Sequence, residues 1–460
     1  MSHSQDVQSK NKNEELWRTF ENIGAACRMT LDIEGCARAY YEAAANDTYL
    51  RSQREHYSSY LFALHYLPGI APEVMAEQHR VYGKLYPHGS FGEQGGAPHI
   101  PLRVGFLAPH FCESSAARFY EALLALPRTS FETFAYSLSD EADGFTTQVK
   151  ATVAHYRVLP PTDLAQAEAA IIADDLDVLV DLGGHTDGGM TLMLLANHPA
   201  KRTIEAVGWF DTTGLLAVDE LLTDTVMMPA GHEHLLTERP LRLPHAWCFT
   251  PSAEMRAART FRPRTHAPVR LAAFQNFLKL NDNVLRAWKT ILDRVPQAEL
   301  HLRDTMRSPE RVAALRGRCD ALGFSRGRVR IDMGSNDYLA GFAGMDLVLD
   351  TQPYPGGAMT ATALYLGVPV LTMRGDSHSR CVGASILTAA GLPELIAGSE
   401  EAYIKKAVNL ASCSDKLTTL KEKVWNCLPK SALCDRKRYI GFWRKALQTP
   451  ASLTEGGGPR

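Results

Sequence analysis

The chain has 460 residues, 45% of them hydrophobic and 22% charged. That is an ordinary balance for a soluble globular protein with room for about three domains at roughly 150 residues each. A formal charge of −2 gives no electrostatic case for nucleic acid or an anionic membrane surface, and no apolar run reaches the roughly 20 residues that span a bilayer. The nine cysteines are odd in number and contain no CxxC pair, which favours reduced thiols in a cytoplasmic protein over a disulfide framework or a zinc site.

The first residues, "MSHSQDVQSKNKNEELW", are polar and lack the apolar core of a signal peptide. From 12 to about 90 the spacing predicts helices: "LDIEGCARAYYEAAA" and "REHYSSYLFALHYL" repeat apolar residues at helical intervals. The first resembles one tetratricopeptide hairpin, but no fixed period follows, so a helical cap is expected and not an array. The Gly/Pro-rich "YPHGSFGEQGGAPHIP" (86–101) reads as a linker.

Beyond it, short apolar runs alternate with helical stretches. "LRVGFLAP", "FETFAYSLS", "DVLVDLGG" and "TIEAVGWF" are the predicted strands. "SAARFYEALLAL" and "LAQAEAAIIADD" are predicted helices between them. Such alternation means a parallel sheet covered on both faces. A basic, proline-containing linker (251–268) follows, and the alternation restarts with "VRLAAF". In "NDNVLRAWKTILDRVP" the residues Val284, Leu285, Trp288, Ile291, Leu292 and Val295 form one apolar stripe. "AELHLRD", "RVRIDMG", "DLVLDT" and "PVLTMRG" supply further strands. Two or three helices over about 400–448 precede a Gly-rich tail expected to be disordered. The expected division is a helical segment (1–95), a first Rossmann-like unit (96–262), a second (263–448) and a tail (449–460). Two such units face each other over a cleft, where ligands bind at the C-terminal ends of the strands.

The polar residues at those ends are the candidates. In "DTQPYPGGAMTATALYLG", Gly356 and Gly357 let backbone approach a ligand closely. A helix starting near Thr360 would offer free N–H groups to a diphosphate, with Thr360 and Thr362 adding hydroxyls. The plain alternative is an ordinary strand–helix turn with Thr360 as its cap. Gln275, Asn276 and Lys279 end "AAFQNFLKLND"; a lysine there can neutralise a leaving diphosphate, or simply be a solvated lysine. His185 in "DLGGHTDGG" can serve as acid or base, or be a structural loop histidine. Asp211, Thr212 and Thr213 sit in another such loop. His232, His234 and Glu238 hint at a metal, but adjacent loop histidines are the simpler account. Cys112 is taken as a plain thiol.

Together these loops resemble glycosyltransferase family 41, which holds the protein O-GlcNAc transferases, the SPINDLY-type O-fucosyltransferases and bacterial relatives. "LRVGFLAPHF", "DVLVDLGGHTDGG", "NHPAKRTIEAVGWFDTTGLLAVDELLTD", "FQNFLKLND", "DLVLDTQPYPGGAMTATALYLGVPVLTMRGD" and "SRCVGASILTAAGLPELIA" occur in family order. "YSSYLFALHYLPGIAPEVMAEQHRVYGKLY" is similar to the helical segment that precedes this region in bacterial members. The resemblance implies a GT-B fold and metal-independent, inverting transfer from a nucleotide sugar, UDP-GlcNAc or similar, to Ser or Thr of a protein acceptor. No cofactor is implied beyond that co-substrate. Asn276 and Lys279 match the family's donor-diphosphate residues, Lys279 being its essential lysine. The Gly356–Thr362 turn matches its diphosphate loop, His185 its bacterial "GHT" histidine and Arg380 the arginine after the next strand. Ser114 stands where many relatives carry a first-loop histidine. Gly357, Ala358, Met359 and Thr362 replace the usual His/Gly-Thr-Thr and ribose Asp, while Ser335 and Tyr338 replace a lysine and a histidine at the base; Tyr338 can still stack on a nucleobase. The acceptor hydroxyl is expected to enter from the first unit, past His185 and the 208–214 loop, with Asp211, Thr212, Thr213 and Ser114 on the acceptor side; the general base is left between His185 and the donor phosphate. The alternative to an enzyme is a catalytically weakened member serving as an interaction or regulatory subunit of a glycosylation complex.

Overall fold

The structure is a computed structural model that describes residues 2–86, 96–260 and 268–449, with side chains from residue 14 onward. The core of the first linker, residues 261–267 of the second and the C-terminal tail from 450 onward lie outside the described residues.

Four helices come first: Ser2–Thr30, Ile33–Asn46, Leu50–Tyr66 and Pro72–Gly83. Asp32 caps the second by accepting from the Gly35 N–H, and Pro72 opens the fourth, where its missing N–H costs nothing. Tyr57, Leu61, Met75 and Tyr82 are buried in one cluster with Leu107, Leu179 and Leu192 of the next unit. The helices therefore cap the first sheet and do not stand apart from it.

That sheet has strands β1 (Leu102–Ala108), β2 (Phe131–Ser137), β3 (His155–Val158), β4 (Val178–Asp181), β5 (Thr203–Glu205), β6 (Glu220–Thr223) and β7 (Arg239–Arg242). They lie in the order β3-β2-β1-β4-β5-β6-β7, all parallel. The second sheet has β8 (Val269–Phe274), β9 (Ala298–Arg303), β10 (Val329–Asp332), β11 (Leu347–Leu349), β12 (Val370–Met373) and β13 (Ile396–Ala397), in the order β10-β9-β8-β11-β12-β13 and again parallel. Central strands such as β4 are buried along their whole length, as sheets covered on both faces require. The predicted strands include every inner one except β6, and also the edge strand β10. β3, β6, β7 and β13 escape the pattern because they are short or exposed, and β7 carries Pro240, tolerated at a sheet edge.

Each order reverses direction once, between β1 and β4 and between β8 and β11. Loops diverge there and leave a crevice at the carboxyl ends of the strands. The predicted helices flank both sheets, and the stripe residues, five in the helix Asp282–Arg294 and Val295 just after it, are all buried. The second linker is not wholly irregular: Ser252 caps a short helix, Ala253–Ala258. The C-terminal region holds three helices, Glu400–Ala411, Ser414–Cys427 and Arg436–Gln448. The last returns to the first unit, where Tyr439 donates to the Ala246 carbonyl at 2.7 Å and Arg202 to that of Ala446 at 2.9 Å.

The sheets are fixed against each other by a shared apolar cluster including Phe119, Trp247 and Phe249 from one side and Ala361, Val382 and Ile386 from the other. His378, after β12, bonds the Phe210 carbonyl at 2.7 Å and the Thr223 hydroxyl at 3.0 Å across the interface.

Glycines set the seat of the helical cap. Gly214 has φ +80°, and a Cβ there would meet the His79 carbonyl oxygen at 1.9 Å. Gly214→Ala is expected to destabilise the protein by more than about 1 kcal/mol and to expose the cap to protease first. An unchanged melting temperature with unchanged proteolysis would show that this contact does not hold the cap.

Candidate active site

The glycine turn is organised by one carboxylate. Asp350, just past β11 and buried, accepts from the Thr351 N–H at 2.9 Å, the Gly356 N–H at 2.7 Å and the Thr372 hydroxyl at 2.7 Å. A Cβ at 356 would stand 2.4 Å from Gln275 Nε2 and 2.6 Å from Thr360 Oγ1, so any side chain there would displace both from the turn. A Cβ on Gly357 would meet the Phe210 ring at 3.0 Å. The helix Ala358–Tyr365 begins at once, and its first N–H groups have no partner within the helix. Thr360 Oγ1 is buried without any protein partner.

Lys279 reaches the same turn from β8. Its strand end leads into a single 3-10 turn, Phe277–Lys279, capped by the Asn276 side chain. A buried ion pair holds that turn: Arg311 Nε bonds Asp304 Oδ2 at 2.6 Å, and Asp304 Oδ1 accepts from the Phe277 N–H at 3.1 Å. The Lys279 ammonium donates to the Pro355 carbonyl at 3.2 Å and to Gln275 Oε1 at 3.3 Å, and lies 4.9 Å from the Tyr354 ring centre. Burial pushes this lysine down to about 8, against the opposing pull of the Asp350 carboxylate. Gln275, Lys279, Gly356 and Thr360, drawn from two loops, thus form one cluster.

Beside the helix start lies a cavity of about 290 Å³ between the two units. Ala358, Met359 and Thr362 form one wall, Tyr338 another, and Ser114 faces them from the loop after β1. Ser114 Oγ accepts from the Ala117 N–H at 3.2 Å. Arg303, at the end of β9, adds a cation whose Nε is buried without a hydrogen-bond partner.

Other expected residues lie elsewhere. His185 is 1% exposed, with Nδ1 bonded to the Ser58 hydroxyl at 3.0 Å and Nε2 to the Thr213 carbonyl at 2.9 Å. Burial, and then the neighbouring His79, hold it well below the usual histidine range. With both nitrogens taken, it braces the helical cap and does not fit the acid/base role. Thr212 and Thr213 are buried and bound to the Glu238 carboxylate. Asp211 Oδ2 accepts from Ser379 at 2.9 Å, and His65 lies 3.9 Å away. These three join structural units and do not face the cavity. Arg380 donates to Asp376 at 2.8 Å and to the Ile70 carbonyl at 2.5 Å, and lines a different cavity of about 460 Å³ beside Pro68 and Gly69. It does not reach the glycine turn. Asn276 Oδ1 is taken by the Leu278 N–H and Arg311, and the residue borders a third chamber of about 360 Å³ under the helical cap. His232, His234 and Glu238 do not converge: Glu238 is buried, while His234 binds the Gly231 carbonyl. Among the described residues no three His, Cys, Asp or Glu side chains are placed to hold a metal ion.

Sequence reading passed over Glu113, Arg118 and Arg303, all of which line the 290 Å³ cavity. The usable signal was positional. Arg303 ends the strand next to β8, and Glu113 lies in the loop after β1.

Two parallel doubly wound sheets facing over a cleft are the GT-B architecture of glycosyltransferases. More narrowly, the chain belongs to Glycosyl transferase family 41, whose sequence model matches residues 87–266 and 260–442. A tomato (Solanum lycopersicum) protein described as a probable UDP-N-acetylglucosamine–peptide N-acetylglucosaminyltransferase SPINDLY is 30% identical over 412 residues, covering 84% of this chain and 44% of the relative. An Arabidopsis thaliana protein described as a probable UDP-N-acetylglucosamine–peptide N-acetylglucosaminyltransferase SEC is 25% identical over 359 residues, covering 74% of this chain and 36% of the relative. The chain spans less than half the length of these relatives. Among solved structures, a mutant of the Thermobaculum terrenum O-GlcNAc transferase superposes with a TM-score of 0.83 at 25% identity, over 94% of this chain and 85% of that one.

The ion pair under the Lys279 turn is open to direct test. Asp304→Ala would strand the buried Arg311 guanidinium, a loss expected at about 3–5 kcal/mol. Adding Arg311→Met should recover part of it. Urea unfolding of both variants measures this, and an Asp304→Ala midpoint equal to wild type would remove the pair from the account.

Proposed function

We propose that the protein is a nucleotide-sugar-dependent glycosyltransferase acting on Ser or Thr hydroxyls of a protein acceptor, with inversion and without a metal. The observation that carries this reading is the convergence of the Lys279 ammonium and the open start of helix Ala358–Tyr365 on the turn at Pro355–Gly356. A diphosphate placed there meets fixed N–H donors and a positive charge. Glycosyl transfer builds negative charge on the leaving diphosphate as the bond to the sugar breaks. Groups already aimed at that charge stabilise the transition state without having to reorganise. The nucleoside would extend into the 290 Å³ cavity, with the Tyr338 ring available to the base and Arg303 and Thr362 nearby. Relatives named for UDP-N-acetylglucosamine and peptide substrates support a UDP sugar such as UDP-GlcNAc and a protein acceptor. The chemistry suits a cytoplasmic setting, where nucleotide sugars and unfolded Ser/Thr segments meet.

Titration calorimetry with UDP and GDP tests donor binding, and intact-mass assays with the matching sugars test transfer. Lys279→Ala should lower turnover by about 100-fold or more, the scale on which loss of one charge-stabilising group acts. Failure of wild type to bind either nucleotide would sink the proposal.

Proton linkage gives a second check. The ammonium form of Lys279 binds the anion, so affinity is full below pH 8 and weakens as pH rises through about 8. The limit is about tenfold per pH unit for one proton. Lys279→Arg, which stays charged, should show a flat profile from pH 7 to 10. A wild-type profile equally flat would exclude Lys279 from the anion site.

A further inference from the structure

The transfer needs a group that accepts the proton of the acceptor hydroxyl, and the side chains around the cleft can be taken in turn. His185 has both ring nitrogens engaged. Asp304 lines the donor cavity, but its oxygens are held by Arg311 and by the Phe277 and Thr305 N–H groups. Arg118 and Arg303 cannot take a proton. The Tyr338 phenol is pushed further up by burial. Glu113 remains.

Its position is distinctive. Glu113 and Arg118 line the 290 Å³ donor cavity and also an adjoining open groove of about 660 Å³ on the first-unit side. The groove is bordered further by Asp143, Phe145, Glu254 and Arg436. Glu113 therefore stands on the threshold between the two spaces, across the cleft from Met359 and Thr362. It is held there. Its N–H donates to Asp143 Oδ2 at 2.7 Å, and its Oε2 lies 3.0 Å from Arg118 Nη2. Arg118 is itself fixed by Glu121 at 3.1 Å and by the Phe145 ring at 4.8 Å. The pairing occupies Oε2 and leaves Oε1 to accept.

We propose that Glu113 is the catalytic base that takes the acceptor hydroxyl's proton, and that the groove it borders is the acceptor's approach. This inference rests on the glycosyltransferase reading above. In the step, the acceptor O–H proton passes to Glu113, and the acceptor oxygen bonds to the anomeric carbon. The bond from that carbon to the diphosphate oxygen breaks, and its electron pair leaves with the diphosphate. Glu113 then returns the proton to water. The charged groups around it set its readiness. Burial raises its carboxyl above the usual range, Asp143, Glu121 and Glu254 push the same way, and Arg118 opposes them. The base form is needed, so turnover should fall as pH drops through a point above the ordinary glutamate range.

The experiment compares wild type, Glu113→Gln and Glu113→Asp. Nucleotide affinity is read by calorimetry with UDP and GDP. Turnover is read as nucleotide released from UDP-N-acetylglucosamine or a GDP sugar, to water and to a pool of Ser/Thr peptides, from pH 5 to 9. Glu113→Gln is expected to retain nucleotide binding, to lose about 100-fold or more in turnover and to lose the acid limb. Glu113→Asp should restore part of the rate. A Gln variant within about threefold of wild-type turnover, with the acid limb intact, overturns the inference alone. So does a Gln variant that loses nucleotide binding, since Glu113 would then serve the donor. A wild type that binds no nucleotide overturns the glycosyltransferase reading and this inference together.

Discussion

The candidate site depends on the burial of Asp350. A carboxylate taken out of water must be met by donors, and this one finds them in the Thr351 and Gly356 N–H groups and the Thr372 hydroxyl. Those bonds fold the 350–356 loop back against β11 and β12. They also fix where Gly356 lies, and thereby where the next helix begins. Tyr403 secures the backbone of the same residue by donating to the Asp350 carbonyl at 3.1 Å. Burial raises the Asp350 carboxyl, while those donors and Lys279 pull it down. The charge that shapes the turn thus also attracts the lysine that reaches it. One buried anion sets the turn's form and supplies part of the local field.

A second constraint acts between the sheets. A cleft is useful only if its walls keep their spacing, and here three kinds of contact hold them. The shared apolar cluster supplies most of the attraction. His378 and Ser379 add directional bonds to Phe210, Thr223 and Asp211. The returning helix Arg436–Gln448 clamps the end of the chain onto the first unit. The helical cap completes the arrangement through His65 and His79, which together with His185 of the first unit surround Trp209 at ring-centre distances of 5.0 to 6.0 Å. His65 is pushed down to about 3 by burial. A neutral ring of this kind packs as an aromatic, which explains how three histidines can be interred beside one indole.

What the sequence disclosed follows from these constraints. The central strands were legible because burial on both faces leaves continuous apolar runs, and Asp282–Arg294 because its stripe is long. The edge strands β3 and β7 were not, since exposure removes that signal. At the site, Gly356 and Lys279 were legible for a geometric reason: both follow strands that flank the reversal of sheet order. His185 and Arg380 also follow strands, so sequence position alone could not separate them from Lys279. The difference lies in partners remote in sequence, Ser58 and Thr213 for His185 and Ile70 for Arg380. Such pairings exist only after the helical cap has docked. Asp304 and Arg311 were hidden for the same reason, because a buried ion pair looks like two surface charges until both partners are placed.

The cleft is electrically divided. On the second-unit wall stand Lys279, Arg303 and the start of the helix Ala358–Tyr365, all suited to an anion. On the first-unit wall stands Glu113, with Glu121, Asp143 and Glu254 around it and Arg118 behind. A donor diphosphate bound as proposed would meet cations on one side and like charges on the other. The same asymmetry suits the reaction, in which negative charge grows toward the second unit while a proton leaves toward the first. In the proposed reaction the work would be divided between two similar folds, with cations at the strand ends of one and a carboxylate at the strand end of the other.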